Sequence, residues 1–261
     1  MKKKAILVVS FGTSYAETRK KTIEACERAI KMAFPEYEVR RAFTSKRIIK
    51  ILKDRDNILI DTPREALQKL RDEGFADVSV QSLHIIPGSE FHDVVLAVKE
   101  YESAFASLRI GMPLLAAPAD YEAVATTLAR QFPNLADDEA VALMGHGSVH
   151  PANAAYPALE HVLEDCGCPR IWIGTVEGYP ELDHVIARLR RYHIRKVTLM
   201  PLMLVAGDHA QNDMAGDDDD SWKSILEKQG FEVNIYLHGL GENTAIQQIF
   251  VQHVHDIVVS I

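Results

Sequence analysis

Short apolar runs alternate along this chain with longer stretches in which apolar residues recur every three or four positions. Strand-like runs at about 5 to 10, 38 to 43, 77 to 83 and 109 to 115 are separated by helical patterns at about 15 to 33, 61 to 73, 90 to 107 and 119 to 131. Three further runs, Ala140 to Met144, Arg170 to Thr175 and Lys196 to Val205, interleave with helical patterns at about 153 to 165, 180 to 192, 221 to 229 and 243 to 259. Each of these three runs is short, rich in Val, Ile, Leu and Met and ends in Gly or polar residues, and so reads as a buried parallel strand. Pro35, Pro133 and Pro169 fall where helices should stop. Repeated strand-helix connectivity predicts an α/β fold with a mostly parallel sheet flanked by helices.

The two halves read as versions of one unit. Ala5-Ile6-Leu7-Val8-Val9-Ser10-Phe11-Gly12-Thr13 lies over Ala140-Val141-Ala142-Leu143-Met144-Gly145-His146-Gly147-Ser148, so Phe11 stands where His146 stands. Val78 to Glu90 lies over Val197 to His209, pairing Gly88 with Gly207 and Glu90 with His209. The expectation is two similar lobes, 1 to 135 and 136 to 261, with the active site in the cleft between them. The first would supply a wall of that cleft and the second the metal chemistry.

Composition narrows the function. Hydrophobic residues at 47% and charged residues at 25% suit a soluble globular protein. No apolar run approaches the ~20 residues needed to cross a bilayer. The start, Met1-Lys2-Lys3-Lys4 followed by Ala5 to Val9, imitates a signal peptide, but its apolar stretch is short and meets Ser10-Phe11-Gly12-Thr13. It reads as the first core strand of a cytoplasmic protein. A net charge of -8 argues against a nucleic-acid partner. Of the three cysteines only Cys166-Gly167-Cys168 is a close pair, too few thiolates for a zinc cage or an iron-sulfur cluster.

The candidate chemistry sits just past three strand ends, where open α/β sheets bind ligands. His146 lies between two glycines, Glu177 between Val176 and Gly178, and His209 after Gly207-Asp208. Two imidazoles and a carboxylate on one rim suit a borderline divalent ion such as cobalt, iron, nickel or zinc, and three protein ligands leave a coordination position open. Asp208 or Asp213 would orient His209. His84, inside a strand-like run, and His92, opening a helical pattern, read as structural, and Asp217 to Asp220 as an acidic helix start. There is no phosphate-binding Gly-x-x-x-x-Gly-Lys-Ser/Thr loop, no Gly-x-Gly-x-x-Gly and no Gly-x-Ser-x-Gly turn, so no nucleotide is expected. Phe11-Gly12-Thr13-Ser14 before a helix could bind a carboxylate through its backbone N–H groups.

Four segments carry a resemblance: Ser10-Phe11-Gly12-Thr13-Ser14, Gln81-Ser82-Leu83-His84-Ile85-Ile86-Pro87-Gly88, Met144-Gly145-His146-Gly147, and Met200-Pro201-Leu202-Met203-Leu204-Val205-Ala206-Gly207-Asp208-His209-Ala210 with Asn212-Asp213-Met214-Ala215. The chain resembles the anaerobic cobalt chelatases, class II tetrapyrrole chelatases that act on sirohydrochlorin. The resemblance implies a two-lobed chelatase fold and ATP-independent insertion of Co(II) into sirohydrochlorin, or precorrin-2, for cobalamin synthesis. It also implies metal ligation by His146, Glu177 and His209, with His146 and Glu177 catalytic. Phe11, Gly12, Thr13, Ser14, His84, Gly88, Leu202 and Met203 are the expected tetrapyrrole contacts. Some periplasmic relatives bind haem through a histidine, for which His84 and His92 are the candidates; the short start argues against it here. The alternatives are a sirohydrochlorin ferrochelatase making sirohaem and a tetrapyrrole or metal carrier without turnover, with a homo-oligomer left open.

Overall fold

The computed structural model describes residues 3–259; Met1 and Lys2 of the basic start, and Ser260 and Ile261 at the end of the expected second lobe, lie outside them. Strands β1 (Lys3–Ser10), β2 (Glu38–Phe43), β3 (Phe75–Ser82) and β4 (Ser107–Gly111) form one parallel sheet in the order β2-β1-β3-β4. Strands β5 (Glu139–Gly145), β6 (Ile171–Thr175), β7 (Lys196–Pro201) and β8 (Glu232–Ile235) form a second parallel sheet in the order β6-β5-β7-β8. Among the described residues the helices are α1 (Ala16–Lys21), α2 (Ile23–Ala33), α3 (Lys46–Asp56), α4 (Pro63–Asp72), α5 (Ser89–Tyr101), α6 (Pro118–Gln131), α7 (Ala155–Asp165), α8 (Leu182–Arg191), α9 (Trp222–Lys228) and α10 (Thr244–Val259). The identical strand order is what a duplicated unit requires.

Burial explains the apolar runs. In the first sheet Ala5, Leu7 and Val9 pack with Leu67 and Leu70 of α4 and Val94 and Val98 of α5, while the alternate residues Ile6 and Val8 are equally buried, so both faces are covered. In the second, Ala140, Ala142 and Met144 pack with Leu182, Val185 and Leu189 of α8 and Trp222 and Leu226 of α9, and Val141 and Leu143 are buried on the opposite face. Among the described residues no helix is long and apolar enough to cross a membrane.

The chain divides into two compact units, Met1–Ala116 with Gly241–Ile261, and Ala117–Leu240. The division expected at 135/136 is therefore corrected at both ends. Helix α6 follows β4 in sequence but packs on α7, burying Val124, Ala125 and Leu128. Helix α10 follows β8 but packs on α2, β3 and β4, burying Ile246, Phe250 and Val254, and His253 Nδ1 lies 3.1 Å from the Met112 carbonyl oxygen. Each of these two helices therefore belongs to the unit whose sheet it does not follow in sequence. Chain order cannot reveal which sheet an amphipathic helix will cover.

Other departures are local. The helical pattern at 15 to 33 breaks at Thr22 (φ −114, ψ −80), whose hydroxyl donates to the Thr18 carbonyl at 2.6 Å and competes with regular helix geometry. The pattern at 90 to 107 ends with α5 at Tyr101, because β4 starts at Ser107. The run Lys196 to Val205 is a strand only as far as Pro201. Helix α3 and strand β8 were not anticipated: α3 is strongly charged, and β8 has only four residues, none of them buried.

Candidate metal-handling site

In the second unit β5 lies between β6 and β7, so the residues following these three strands emerge side by side. The β5–β6 ladder continues past both strands: the Val176 N–H donates to the Gly145 carbonyl at 3.1 Å and the Glu177 N–H to the His146 carbonyl at 2.8 Å. This register places Glu177 beside His146. On the other side, the Leu202 N–H donates to the Met144 carbonyl at 2.8 Å and aims the following loop toward the same strand end.

Glycines permit the approach. Gly147 has φ +82, and a Cβ there would sit 2.7 Å from Gly178 N, 2.8 Å from Thr175 Cβ and 2.9 Å from Glu177 C. A Cβ on Gly145 would strike the Tyr156 ring at 2.6 Å, and the phenol of Tyr156, its pKa pushed up by burial, accepts from the Gly147 N–H at 3.4 Å. The two glycines flanking His146 are thus steric requirements of the turn.

His146 is the centre of the arrangement. Its Nδ1 is 4.0 Å from Glu177 Oε2, and its ring meets the ring of His209 edge to face, with centroids 4.9 Å apart and planes at 85°. His146 Nδ1 also lies 3.1 Å from the Gly147 carbonyl, and His209 Nδ1 lies 2.5 Å from Asp213 Oδ2, within the single π-helical turn Ala210–Met214. Both partners of the Nδ1 atoms are pure acceptors. A neutral imidazole therefore carries its proton on Nδ1 in each case, leaving the Nε2 lone pair as the donor toward an ion. The side chains of His146, Glu177 and His209 are 44%, 63% and 38% exposed, so an ion can reach them from solvent. Among the described residues no group of three or more His, Cys, Asp or Glu side chains is placed to hold a metal ion: the arrangement brings the expected residues together in two pairs that share His146.

The other expected site residues divide. Phe11 is exposed, next to Gly12 (φ +96), where a Cβ would strike the Phe43 ring at 2.4 Å. Thr13 is buried and its hydroxyl accepts from the Tyr15 N–H at 3.2 Å, while the Ser14 carbonyl accepts from Arg55. Gly88 caps α5. Leu202 is fully buried at the strand end, and Met203 is half-buried against the core of the second unit. His84 is enclosed in part. Although the residue as a whole is only half-buried, its Nε2 is sealed from solvent with no hydrogen-bond partner, and its Nδ1 meets Ser82 Oγ at 2.8 Å. Burial pushes its pKa down to about 4. His92 is exposed on α5.

Sequence reasoning missed Asn153, Tyr156, Val149 and Tyr179. Val149 and Tyr179 are 99% and 61% exposed on the two loops that carry His146 and Glu177, apolar surface where a polar loop would be expected. An exposed Val-x-x-x-Asn after a Gly-His-Gly turn carries no local signal of this role.

Comparison with known proteins agrees with this picture. Residues 4–259 match the family model described as cobalt chelatase (CbiK). The chain is 49% identical over 253 residues to the sirohydrochlorin cobaltochelatase of Salmonella typhimurium, covering 97% of this chain and 96% of that one. It is 38% identical over 260 residues to the sirohydrochlorin cobaltochelatase CbiKC of Nitratidesulfovibrio vulgaris, covering 97% and 90%. Among solved structures, SirB from Bacillus subtilis with Fe3+ superposes with a TM-score of 0.65 at 14% identity over 97% of this chain and 95% of that one. CbiX, the terminal enzyme of siroheme biosynthesis in denitrifying bacteria, superposes with a TM-score of 0.57 at 16% identity over 97% and 99%. These two share the two-sheet fold.

Proposed function

We propose, for a chain that belongs to the cobalt chelatase (CbiK) family, that it is a metal chelatase inserting Co(II) into sirohydrochlorin, the substrate named for its Salmonella and Nitratidesulfovibrio relatives. The observation that carries the reading is His146 beside both Glu177 and His209, with both imidazoles held at Nδ1 and both side chains partly exposed. Insertion exchanges one divalent ion for two pyrrole protons. The protein must therefore collect the ion, replace part of its water shell, and take up protons as the ring nitrogens close on it.

His146 and His209 supply neutral nitrogen donors suited to a borderline ion. Glu177 contributes the negative charge those rings lack, and as the ion moves into the macrocycle it is the group placed to accept a pyrrole proton. On the loops that carry His146 and Glu177, the exposed Val149 and Tyr179 offer apolar contact to the ring. The exchange of ion for protons needs no nucleotide, and the product supplies cobalamin synthesis. Three free cysteines, Cys26, Cys166 and Cys168, support a reducing cytoplasmic setting.

Steady-state insertion into sirohydrochlorin, measured with Co(II), Fe(II) and Ni(II) in turn, tests the reading. The expected result is multiple turnovers without ATP and the highest kcat/KM with Co(II). Preference for Fe(II) would make the chain a ferrochelatase, and a single stoichiometric event without product release would make it a carrier.

A further inference from the structure

Beyond the donors themselves, a single amide ties their two loops together. Asn153 lies in the short 3-10 turn Pro151–Ala154 ahead of α7. Its Oδ1 accepts the Ser148 N–H at 2.9 Å, and its Nδ2 donates to the Tyr179 carbonyl at 2.6 Å. The orientation of this amide is dictated by its partners, since a backbone N–H can only donate and a carbonyl can only accept. Ser148 is two residues past His146 and Tyr179 is two residues past Glu177, so each bond grips its loop at the same distance beyond the donor. Between the two grips, Gly147 and Gly178 are back to back: a Cβ on Gly178 would sit 2.6 Å from Asn153 Oδ1 and 2.9 Å from Ser148 N.

The turn that presents Asn153 is itself anchored to the His146 loop. The His150 N–H donates to Ser148 Oγ at 3.0 Å, the Ala152 N–H to His150 Nδ1 at 3.1 Å, and the Asn153 N–H to the His150 carbonyl at 2.9 Å. Val149, next to Ser148, and Tyr179 itself are exposed. The strand ladder sets the His146–Glu177 spacing from below, and the Asn153 amide sets it from above. The Ser148–Asn153–Tyr179 bridge needs one acceptor and one donor on a planar group of this length, which Asp, Ser and Ala cannot supply.

We infer that Asn153 is a positioning residue for metal capture, holding His146 and Glu177 at the separation that lets both engage one ion. This rests on those two residues being donors. Removing the bridge leaves the core untouched but frees both loops, so the loss should fall on metal affinity, in the range of about 10- to 100-fold found when groups supporting metal ligands are removed.

The test compares purified full-length wild type, Asn153→Ala, Asn153→Asp and His146→Ala. Readouts are KM for Co(II), kcat at saturating Co(II), Co(II) titration without tetrapyrrole, and Tm. Asn153→Ala is expected to raise KM for Co(II) at least about tenfold while kcat is largely kept and Tm stays near wild type. Asn153→Asp, which keeps the acceptor for Ser148 but cannot donate to Tyr179, should fall between, and carries the test if the alanine variant fails to fold. Wild-type KM for Co(II) in both Asn153 variants beside an impaired His146→Ala would overturn the inference alone, as would kcat and Tm falling together with KM unchanged. A His146→Ala protein with wild-type Co(II) affinity would instead overturn the donor reading beneath it.

Discussion

Gly147→Ala is the sharpest single test of how the site is built, because the chain contains its own control. Gly147 and Gly167 share nearly the same left-handed backbone, φ +82 and +81, but a Cβ on Gly167 meets nothing within 4 Å. Gly167→Ala therefore isolates the conformational cost, about 1 kcal/mol or a Tm loss of about 2 to 4 °C for a chain of this size. Gly147→Ala adds three contacts under 3.0 Å, two of them to the backbone of the Glu177 loop. Relieving them opens the bond from the Glu177 N–H to the His146 carbonyl, which costs about 1 kcal/mol net, on top of overpacking of about 1 to 3 kcal/mol. The expected total is at least about 3 kcal/mol, or roughly 6 to 12 °C, accompanied by a rise in KM for Co(II) as Glu177 swings away from His146. Thermal melts and Co(II) kinetics on the two variants side by side decide the matter. If Gly147→Ala melts with Gly167→Ala and keeps a wild-type KM, the close packing of the two loops does not set the site.

Three further outcomes follow from the geometry. His146→Ala and His209→Ala should each abolish or sharply reduce insertion while leaving Tm near wild type, since both side chains project from solvent-exposed turns; normal turnover of either at saturating Co(II) would remove it from the donor set. Glu177→Gln should keep part of the Co(II) affinity and insert slowly if the carboxylate chiefly takes up protons, whereas equal losses in affinity and rate would make it chiefly a ligand. His84, with a folded pKa of about 4 against a reference of 6.5, resists protonation only when folded; its stabilisation is complete above about pH 6.5 and is lost as pH falls toward 4, by up to about 3 kcal/mol. The unfolding free energies of wild type and His84→Asn should therefore converge over that window, and a constant difference from pH 7 to 4 would refute the burial argument.

What could be read from the sequence was whatever local pattern determines. The apolar runs marked the central strands β1 and β5 because strands buried on both faces carry nearly unbroken Val, Ile, Leu and Ala, and the one described strand that no run marked, β8, has no buried residue. His146 and Glu177 were legible because each follows its strand within two residues, so strand order brings them to one rim, whereas His209 stands well past Pro201, the end of β7. Asn153 was not legible, since its partners Ser148 and Tyr179 come together only through tertiary packing. Nor was the sealing of His84 or the burial of Leu202, because position past a strand says nothing about which way a side chain turns.

The internal duplication bears on how many ions the chain can hold. In the second unit the ladder past β5 runs from the Val176 N–H to the Gly145 carbonyl and from the Glu177 N–H to the His146 carbonyl; in the first, the Thr44 N–H donates to the Ser10 carbonyl at 2.9 Å and the Ser45 N–H to the Phe11 carbonyl at 3.3 Å. The Leu83 N–H donates to the Val9 carbonyl at 2.8 Å, as that of Leu202 does to the Met144 carbonyl. Gly12 and Gly147 both adopt positive φ. The turns are therefore equivalent bond by bond, and the positions of His146, Glu177 and His209 are held in the first unit by Phe11, Ser45 and, by the sequence alignment, Glu90. A phenyl ring offers no lone pair and a neutral serine hydroxyl is a poor ligand for a borderline ion, so one carboxylate remains where the other unit has three donors. Co(II) titration of the full chain should show one site, abolished by His146→Ala and unaffected by Glu90→Gln. Two equivalent sites, or one that survives His146→Ala and disappears with Glu90→Gln, would place the metal chemistry on the wrong half of the duplication.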